Sequence, residues 1–256
     1  MCLIPIMAGL WAIQREVSNA SIADLGFCLG FAGTAVAYGV LAPGDPMRRA
    51  LVSAMGLVYG LRLAVHLFVN RIYKQPEDAR YRILRRAWGE RAQRNLFWYF
   101  QSQALAVAVF SLPLLVAMAN PSPAPNVWDL LGFLLWAFAV IGETLADIQL
   151  QRFRADPANR GRVCQHGLWR YSRHPNYFFE SLQWWAYVLV GIGAPHWWMT
   201  LIGPVLMTWA LLKVSGVPFN EAQALASRGE LYRQYQRTTS RFLPWFPKRN
   251  GSAEQE

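Results

Sequence analysis

Apolar positions fall into long, nearly uninterrupted stretches that are separated by short polar segments. A helix that crosses the hydrocarbon core of a bilayer needs about 20 mostly apolar residues. The stretches therefore predict seven membrane-spanning helices, at residues 3–13, 22–41, 50–69, 97–119, 127–147, 177–193 and 197–214. The first stretch is short, but it lacks the basic start and the small-residue cleavage site of a signal peptide, so we interpret it as a short span.

This pattern predicts an all-α integral membrane protein, a bundle of seven transmembrane helices with cytosolic loops. One transmembrane domain is expected over residues 1–246, followed by a disordered tail at 247–256. No internal repeat is visible along the chain.

Basic residues predict how the bundle is oriented, since Lys and Arg accumulate in cytoplasmic loops. The loops after the third and fifth spans and the C-terminal segment are rich in arginine, whereas the opposite loops hold only Arg48 and Arg49. With seven spans, the three basic segments share one face. We therefore expect the N-terminus outside and the C-terminus inside, in the inner membrane if the chain is bacterial.

Composition supports a membrane protein and excludes other classes. Of 256 residues, 54% are hydrophobic and 16% are charged, with a net charge of +10, whereas soluble domains have about 25% charged residues. No stacking or groove-reading motif accompanies the arginines, so nucleic-acid binding is not expected. The three cysteines form no CxxC pair, which predicts reduced thiols and no metal site. The basic face is explained by topology and anionic lipid, or alternatively by a polyanionic cofactor.

Ionisable residues inside membrane spans are costly and are candidates for a functional site. In the predicted topology they lie in the cytoplasmic halves of their helices. Helical spacing arranges them with neighbouring polar groups into three stripes, which could face one polar cavity. The alternative is that they only pair with each other between helices. The stripes are Tyr59, Arg62 and His66; Glu143, Asp147, Gln151 and Arg154; and Asn176 with Glu180, while Asp24 lies near the start of the second span.

The segment between the fifth and sixth spans combines several arginines with Gly161 and Gly167 and ends at Pro175. Arginine binds phosphate in a bidentate manner, and glycine lets the backbone approach a ligand closely. The segment is therefore either a phosphate-binding loop or an ordinary positive-inside loop. The chain contains no P-loop or Rossmann fingerprint.

The sequence HGLWRYSRHPNYFFE at residues 166–180 resembles the C-terminal signature of the membrane-embedded steroid 5α-reductase family. Three later segments resemble that family's ending: NE at 220–221, YRQY at 232–235 and SRFLPW at 240–245. The similarity covers about residues 140–246. Isoprenylcysteine carboxyl methyltransferases share the RHP-x-Y element at 173–177 and a similar tail. The motif therefore indicates the superfamily more specifically than it indicates the reaction.

The resemblance implies an NADPH-dependent oxidoreductase of steroid or lipid metabolism, which reduces the C4–C5 double bond of 3-oxo-Δ4 steroids or similar enones. Gln151 stands where the family commonly has Arg, and Glu143 where animal enzymes have Asn. The positions implied for NADPH binding are Glu143, Asp147, Gln151, Arg154, Arg162, Tyr171, His174, Asn176, Glu180 and Glu221.

The resemblance also implies a catalytic carboxylic acid and a tyrosine hydroxyl close to the 3-oxo group. Asp24, where a Glu is usual, and Tyr59 match them. Hydride attack at C5 builds negative charge on the carbonyl oxygen, which hydrogen-bond donors stabilise. A carboxyl group in an apolar site is protonated more easily, which would let Asp24 donate.

Two other functions remain open on the sequence. A membrane methyltransferase could use S-adenosylmethionine on a lipid or prenylated substrate, although the arginine density suits the phosphates of NADPH better. A transporter or lipid-binding protein without catalysis is the third hypothesis, and it would predict repeated halves. The expected partners are a steroid or other lipid enone and the bilayer, and the expected state is a monomer.

Overall fold

The computed structural model describes residues 3–214 and 216–248, and it is 79% helical with no strand in that part of the chain. Of the predicted tail 247–256, residues 249–256 lie outside the described part, as does Cys2. The α-helices of the described part are α1 (Leu3–Val17), α2 (Ile22–Leu41), α3 (Pro46–Leu67), α4 (Ala79–Trp88), α5 (Ala92–Met118), α6 (Val127–Ala155), α7 (Pro175–Gly191), α8 (Ile202–Trp209), α9 (Val217–Arg228) and α10 (Glu230–Thr238).

In the described part of the chain, five helical segments are long and apolar enough to cross a membrane, which makes bilayer association the consistent interpretation of the fold. They are Ile22–Leu41, Pro46–Ile72, Ala79–Met118, Val127–Ala155 and Trp197–Arg228. The other two predicted spans correspond to α1 and α7, which have 15 and 17 residues. Because both are shorter than a typical span of about 20 residues, the count of seven stays a prediction.

Helix ends explain why several elements extend beyond the apolar stretches. Helix α3 begins at Pro46 because the Asp45 carboxylate caps it, accepting hydrogen bonds from the backbone N–H groups of Met47 and Arg48 at 2.8 and 3.4 Å. Asp78 caps α4 in the same way, accepting from the Arg80 N–H at 2.9 Å. A scan for apolar residues misses such turns because their side chains are polar.

The described residues form two compact units, and the first comprises residues 3–133 and Tyr187–Gly203. Its core contains the α2–α3 pair, in which small residues let the two helices approach closely. A Cβ atom at Gly56 would lie 2.6 Å from the Ala35 Cβ, and one at Gly60 would lie 2.8 Å from the Ala32 Cβ. This is the small-xxx-small packing typical of membrane helices.

A buried ion pair also lies in the first unit. The Arg48 guanidinium donates to the Asp129 carboxylate through Nε and Nη2, at 2.7 and 2.8 Å. Both side chains are at most 3% exposed. Arg48, one of the two arginines assigned to an outer loop, is therefore neutralised inside the protein.

The second unit comprises, of the described residues, Leu134–Ala186, 204–214 and 216–248. Here α6 and α7 pack closely, with the ring of Phe179 5.6 Å from that of Phe138 and lying over Gly142. Gly229, with φ +53°, ends α9 and begins α10. The single domain expected over residues 1–246 stays a prediction.

Candidate functional site

In the first unit, Asp24 is the centre of a polar cluster at the start of α2. Its carboxylate accepts hydrogen bonds from the Arg80 guanidinium at 2.8 Å and from the Tyr81 hydroxyl at 2.7 Å. Arg71 approaches the same carboxylate to 3.7 Å, and the hydroxyls of Tyr81 and Tyr99 lie 3.3 Å apart. Asp24 is therefore a hydrogen-bond acceptor in this arrangement, held by residues from the segment 71–99.

Asp78 forms ion pairs with the two arginines of this cluster, Arg71 and Arg80. Burial alone would raise the pKa of its carboxyl, but the hydrogen bond and charge of Arg80 and the charge of Arg71 lower the pKa below its usual value. Arg80 bonds to Asp78 at 3.1 Å through Nε while it reaches Asp24 through Nη2. One guanidinium thus bridges two carboxylates.

Tyr59 lies deeper in the first unit than Asp24. Its side chain is 2% exposed, and its ring packs edge-on against Phe31 of α2 at 5.7 Å. Phe31 is seven residues along α2 from Asp24, which corresponds to about 10 Å along the helix axis. The structure therefore places the two predicted catalytic residues in one unit but two helical turns apart.

In the second unit, predicted cofactor residues of α6 and α7 come together. The Asn176 side-chain amide donates to the Asp147 carboxylate at 3.1 Å. Glu143 and Asp147 are 3% and 9% exposed, and Glu180 lies one turn after Asn176 on α7. The hydrogen bond therefore joins the α6 stripe to the α7 stripe at Asp147 and Asn176.

The segment between α6 and α7 folds back on α6. The Trp169 indole N–H donates to the Ala146 carbonyl at 2.9 Å, and the Leu168 N–H donates to the Gln149 side chain at 2.9 Å. Gly167 has φ +58°, and a Cβ atom there would lie 2.5 Å from the Gln149 amide. A glycine is therefore required for this turn to pack on the helix.

A second polar cluster surrounds Glu221 of α9. Its carboxylate lies 3.1 Å from the Arg173 guanidinium, 3.3 Å from the His174 Nε2 atom and 3.2 Å from the Gln236 side-chain nitrogen. Burial lowers the pKa of His174 below its usual value, although the bond to Glu221 acts in the opposite direction. Burial and the nearby Glu221 raise the pKa of Tyr232 to about 12, which keeps its hydroxyl protonated.

The C-terminal segment pairs with the loop that contains this histidine. The Arg173 N–H donates to the Ser240 carbonyl at 2.9 Å, and the Trp245 N–H donates to the Tyr171 carbonyl at 2.9 Å. The Tyr235 hydroxyl donates to the Trp169 carbonyl at 2.5 Å. Loop and C-terminal segment are thus one hydrogen-bonded structure, built from the parts of the chain that carry the sequence resemblance.

The remaining predicted cofactor residues lie at the exposed side of the second unit. Gln151, Arg154 and Arg162 are exposed, and Tyr171 is 36% exposed. The Arg162 carbonyl accepts a hydrogen bond from the Arg228 guanidinium at 2.9 Å. All ten positions predicted for the cofactor therefore belong to the second unit. Glu143 and Asp147 are buried, Asn176, Glu180 and Glu221 are half-buried, and the two arginines are exposed.

A family model described as "Protein of unknown function (DUF1295)" matches residues 10–239. The chain belongs to the DUF1295 family. The match extends from α1 to the end of α10, so it includes the Asp24, Asp147 and Glu221 clusters.

This DUF1295 protein also resembles a protein of Schizosaccharomyces pombe named "Uncharacterized protein C594.04c". The two are 27% identical over 279 residues, which cover 95% of this chain and 77% of the yeast protein. No solved structure matches the DUF1295 chain.

Several residues of these clusters were not predicted from the sequence. Arg80, Tyr81 and Tyr99 complete the Asp24 cluster, and Arg173 and Gln236 complete the Glu221 cluster. The arginines lie in basic loops, and membrane topology already explains the positive charge of those loops, so nothing singled these arginines out. The signal that could have found Tyr81 is an aromatic hydroxyl between the arginines of α4, at a helix start close to a capping aspartate.

Cys28 and Cys164 are buried and form no disulfide within the described part of the chain, and burial raises the pKa of the Cys164 thiol. Among the described residues, no three His, Cys, Asp or Glu side chains are placed to hold a metal ion.

Proposed function

We propose that this DUF1295 protein is a membrane-embedded oxidoreductase that uses NADPH to reduce the C4–C5 double bond of a 3-oxo-Δ4 steroid or a similar lipid enone. The observation that carries the proposal is the hydrogen bond between Asn176 and Asp147. It joins the signature segment to the buried carboxylates of α6. The family supports the proposal because DUF1295 proteins are related to steroid 5α-reductase-like membrane proteins.

The donor set of the second unit fits a phosphorylated dinucleotide. Exposed Arg154 and Arg162 can bind phosphate oxygens as charged donors. Buried Asp147 and half-buried Asn176 and Glu180 offer acceptors and an amide for hydroxyl and carboxamide groups. NADPH, when bound, supplies the hydride. In this proposal the protein's own residues bind and orient it and exclude water.

Tyr59 is the proposed donor to the substrate carbonyl. Reduction of the enone places negative charge on the 3-oxo oxygen, and a phenol in an apolar, water-poor environment stabilises such charge strongly. The side chain of Tyr59 has that environment, since it is buried between helices and packs on Phe31.

Asp24 is the second proposed group, and the structure adds Tyr81 as its positioning partner. The Asp24 carboxylate accepts a hydrogen bond from the Tyr81 hydroxyl at 2.7 Å. A protonated Asp24 would donate to the Tyr81 oxygen instead, which would leave the phenol hydrogen for a substrate oxygen. Asp24 and Tyr59 are two helical turns apart, so we expect separate contributions from them, and the two are tested separately.

The purified protein in nanodiscs, supplied with NADPH and progesterone or testosterone, tests the reaction. We expect loss of the reduced-nicotinamide absorbance together with a product that has gained two hydrogens. Tyr59→Phe should lower kcat by about a hundredfold, the usual effect of removing one such donor. Absence of NADPH consumption with any enone steroid would refute the substrate class. A thermal shift with S-adenosylmethionine but not with NADPH would favour the methyltransferase.

Cofactor binding is tested on a matched pair of arginines at the end of α6. Arg154→Gln should weaken NADPH binding by about tenfold to a hundredfold, the effect of losing a charged hydrogen bond of about 1.5–3 kcal/mol. Arg152→Gln removes the same charge two residues away and should leave the Kd within a factor of about two. Equal effects of the two variants would show that only the general basic charge matters.

We further propose the seven-span topology, with the N-terminus outside and the NADPH residues on the cytoplasmic side. It is supported by the arginine distribution and by the burial of Arg48, which leaves its outer loop less basic. Reporter fusions at the two termini in intact cells should place them on opposite sides of the membrane. The same side for both would reduce the number of spans by one.

A further inference from the structure

A recess on the second unit lies outside the residues proposed for NADPH. It is formed where the loop before α7, the last turns of α10 and the C-terminal segment meet. Its lining residues are Gln165, Arg170, Gln234, Tyr235, Thr238, Thr239, Pro247 and Lys248.

The chemistry of the recess suits a phosphate group. Arg170 and Lys248 supply two positive charges, and neither pairs with a carboxylate in the described part of the chain. Gln165 and Gln234 add neutral amide donors, and the lining contains no acidic residue. Arginine and lysine with neutral donors are the usual ligands of phosphate oxygens.

The depth of the recess relative to the bilayer follows from α6. This helix has 29 residues, or about 43 Å at 1.5 Å per residue, which exceeds the hydrocarbon thickness of about 30 Å. A core that starts at Val127 therefore ends near Asp147. Trp169 is hydrogen-bonded to the Ala146 carbonyl and Leu168 to Gln149. Arg170 follows directly, so it lies at the level where lipid headgroups begin.

Exposed apolar side chains beside the recess also indicate that it lies at the level of the lipid headgroups. Leu243, Trp245 and Phe246 are 65%, 72% and 75% exposed and immediately precede Pro247 and Lys248. Their segment is anchored, because the Trp245 N–H donates to the Tyr171 carbonyl and the Lys248 N–H donates to the Thr238 carbonyl, at 2.9 and 2.8 Å. Exposed tryptophan next to basic residues is typical of the membrane interface.

We propose that this recess binds the phosphate of an anionic phospholipid headgroup, with Trp245 and Phe246 inserted beside that lipid. Arg170 and Lys248 contact the phosphate, and the glutamine amides bind further headgroup oxygens. The lipid would hold the C-terminal segment against the loop that carries His174. None of the ten residues proposed for NADPH lines the recess, so lipid binding and reductase activity are measured separately.

Native mass spectrometry of the full-length protein in detergent tests the site, with phosphatidylglycerol and phosphatidylcholine as probes. The wild type should retain phosphatidylglycerol in preference to phosphatidylcholine. The double variant Arg170→Gln, Lys248→Gln should bind phosphatidylglycerol about thirtyfold more weakly, since each basic residue near an anionic headgroup contributes about fivefold. Lys248→Gln alone should weaken phosphatidylglycerol binding about fivefold. This single variant is used if the double variant does not fold.

Arg160→Gln is the matched control, because it removes an exposed arginine of the same loop that does not line the recess. It should bind phosphatidylglycerol like the wild type. Unchanged binding in both recess variants, or an equal loss in Arg160→Gln, would overturn the proposal. Displacement of phosphatidylglycerol by inorganic phosphate alone would also overturn it, since the recess would then be a site for free phosphate.

Discussion

Replacing Arg48 by Met should cost more stability than any other single loss of charge in the first unit. The guanidinium makes a two-point contact with Asp129 at 2.7 and 2.8 Å. It also donates to three backbone carbonyls, those of Asn120, Ser122 and Pro123, at 2.9, 2.7 and 3.3 Å. The substitution therefore leaves a buried carboxylate and three carbonyls without this partner.

The expected cost is about 3 kcal/mol. Breaking a buried ion pair by removing one partner costs about 3–5 kcal/mol. The lower end applies because Asp129 keeps a second partner. Its carboxylate accepts from the Asn126 N–H at 2.9 Å, while the Asn126 side chain accepts from the Asp129 N–H at 3.2 Å. This reciprocal cap at the start of α6 compensates part of the charge.

Reversible unfolding in SDS-containing mixed micelles measures the free energy, and thermal denaturation should show a Tm lower by about 6–12 °C. Arg49→Met is the matched control. Its guanidinium makes only two hydrogen bonds, to the Val40 and Ala42 carbonyls at 3.4 and 2.9 Å. This control should cost about 0.5–1.5 kcal/mol.

The double variant Arg48→Met, Asp129→Leu completes the test. If the pair is a coupled unit, the double variant should cost at least about 2 kcal/mol less than the sum of its two single variants. Equal costs for Arg48→Met and Arg49→Met, or strict additivity in the double variant, would refute the reasoning from burial.

Two further predictions concern the second unit. Since burial lowers the pKa of His174, the unfolded chain binds that proton more readily, so stability should fall as the pH drops from about 7.5 to about 5.5, through the usual value of about 6.5. Tm measured across this range should fall less in His174→Gln, and an equal slope would contradict the assignment. Gln183 is 1% exposed and its amide has no hydrogen-bond partner among the described residues, so Gln183→Leu should raise the free energy of unfolding by about 1–2 kcal/mol. A loss of stability would show that the amide is bonded, and higher stability with lower kcat would place it against substrate.

The helices could be predicted from the sequence wherever burial in lipid decides the residue type. The predicted span 22–41 coincides with α2, because its ends are set by a change from polar to apolar residues. Helix α6 instead continues eight residues past the predicted end at 147. Residues beyond the hydrocarbon core have no apolar requirement, so hydropathy does not report that part of a helix.

The partners within the candidate site could be predicted only in part. The sequence predicts Asp147 on a polar stripe and Asn176 near the cofactor, but their direct bond depends on how α6 and α7 pack. Arg48 could not be recognised as buried, because its partner Asp129 is 81 residues away. A single sequence shows where the charged residues are and how the apolar residues are spaced. It does not show which charged residues far apart in the chain contact each other.

The resemblance itself separates into two physical parts in the structure. Ser172 lies in the signature 166–180, and Tyr235 and Trp245 lie in the runs at 232–235 and 240–245. Their polar groups are used within the protein, where they tie the loop to the C-terminal segment. Their presence is explained by the hydrogen bonds that hold the loop to the C-terminal segment. Such a scaffold can serve either a reductase or a methyltransferase. The choice between the two reactions therefore depends on the groups that remain, the Asp147–Asn176 pair and exposed Arg154. This is why the matched arginine variants discriminate the cofactor better than any substitution in the shared motif.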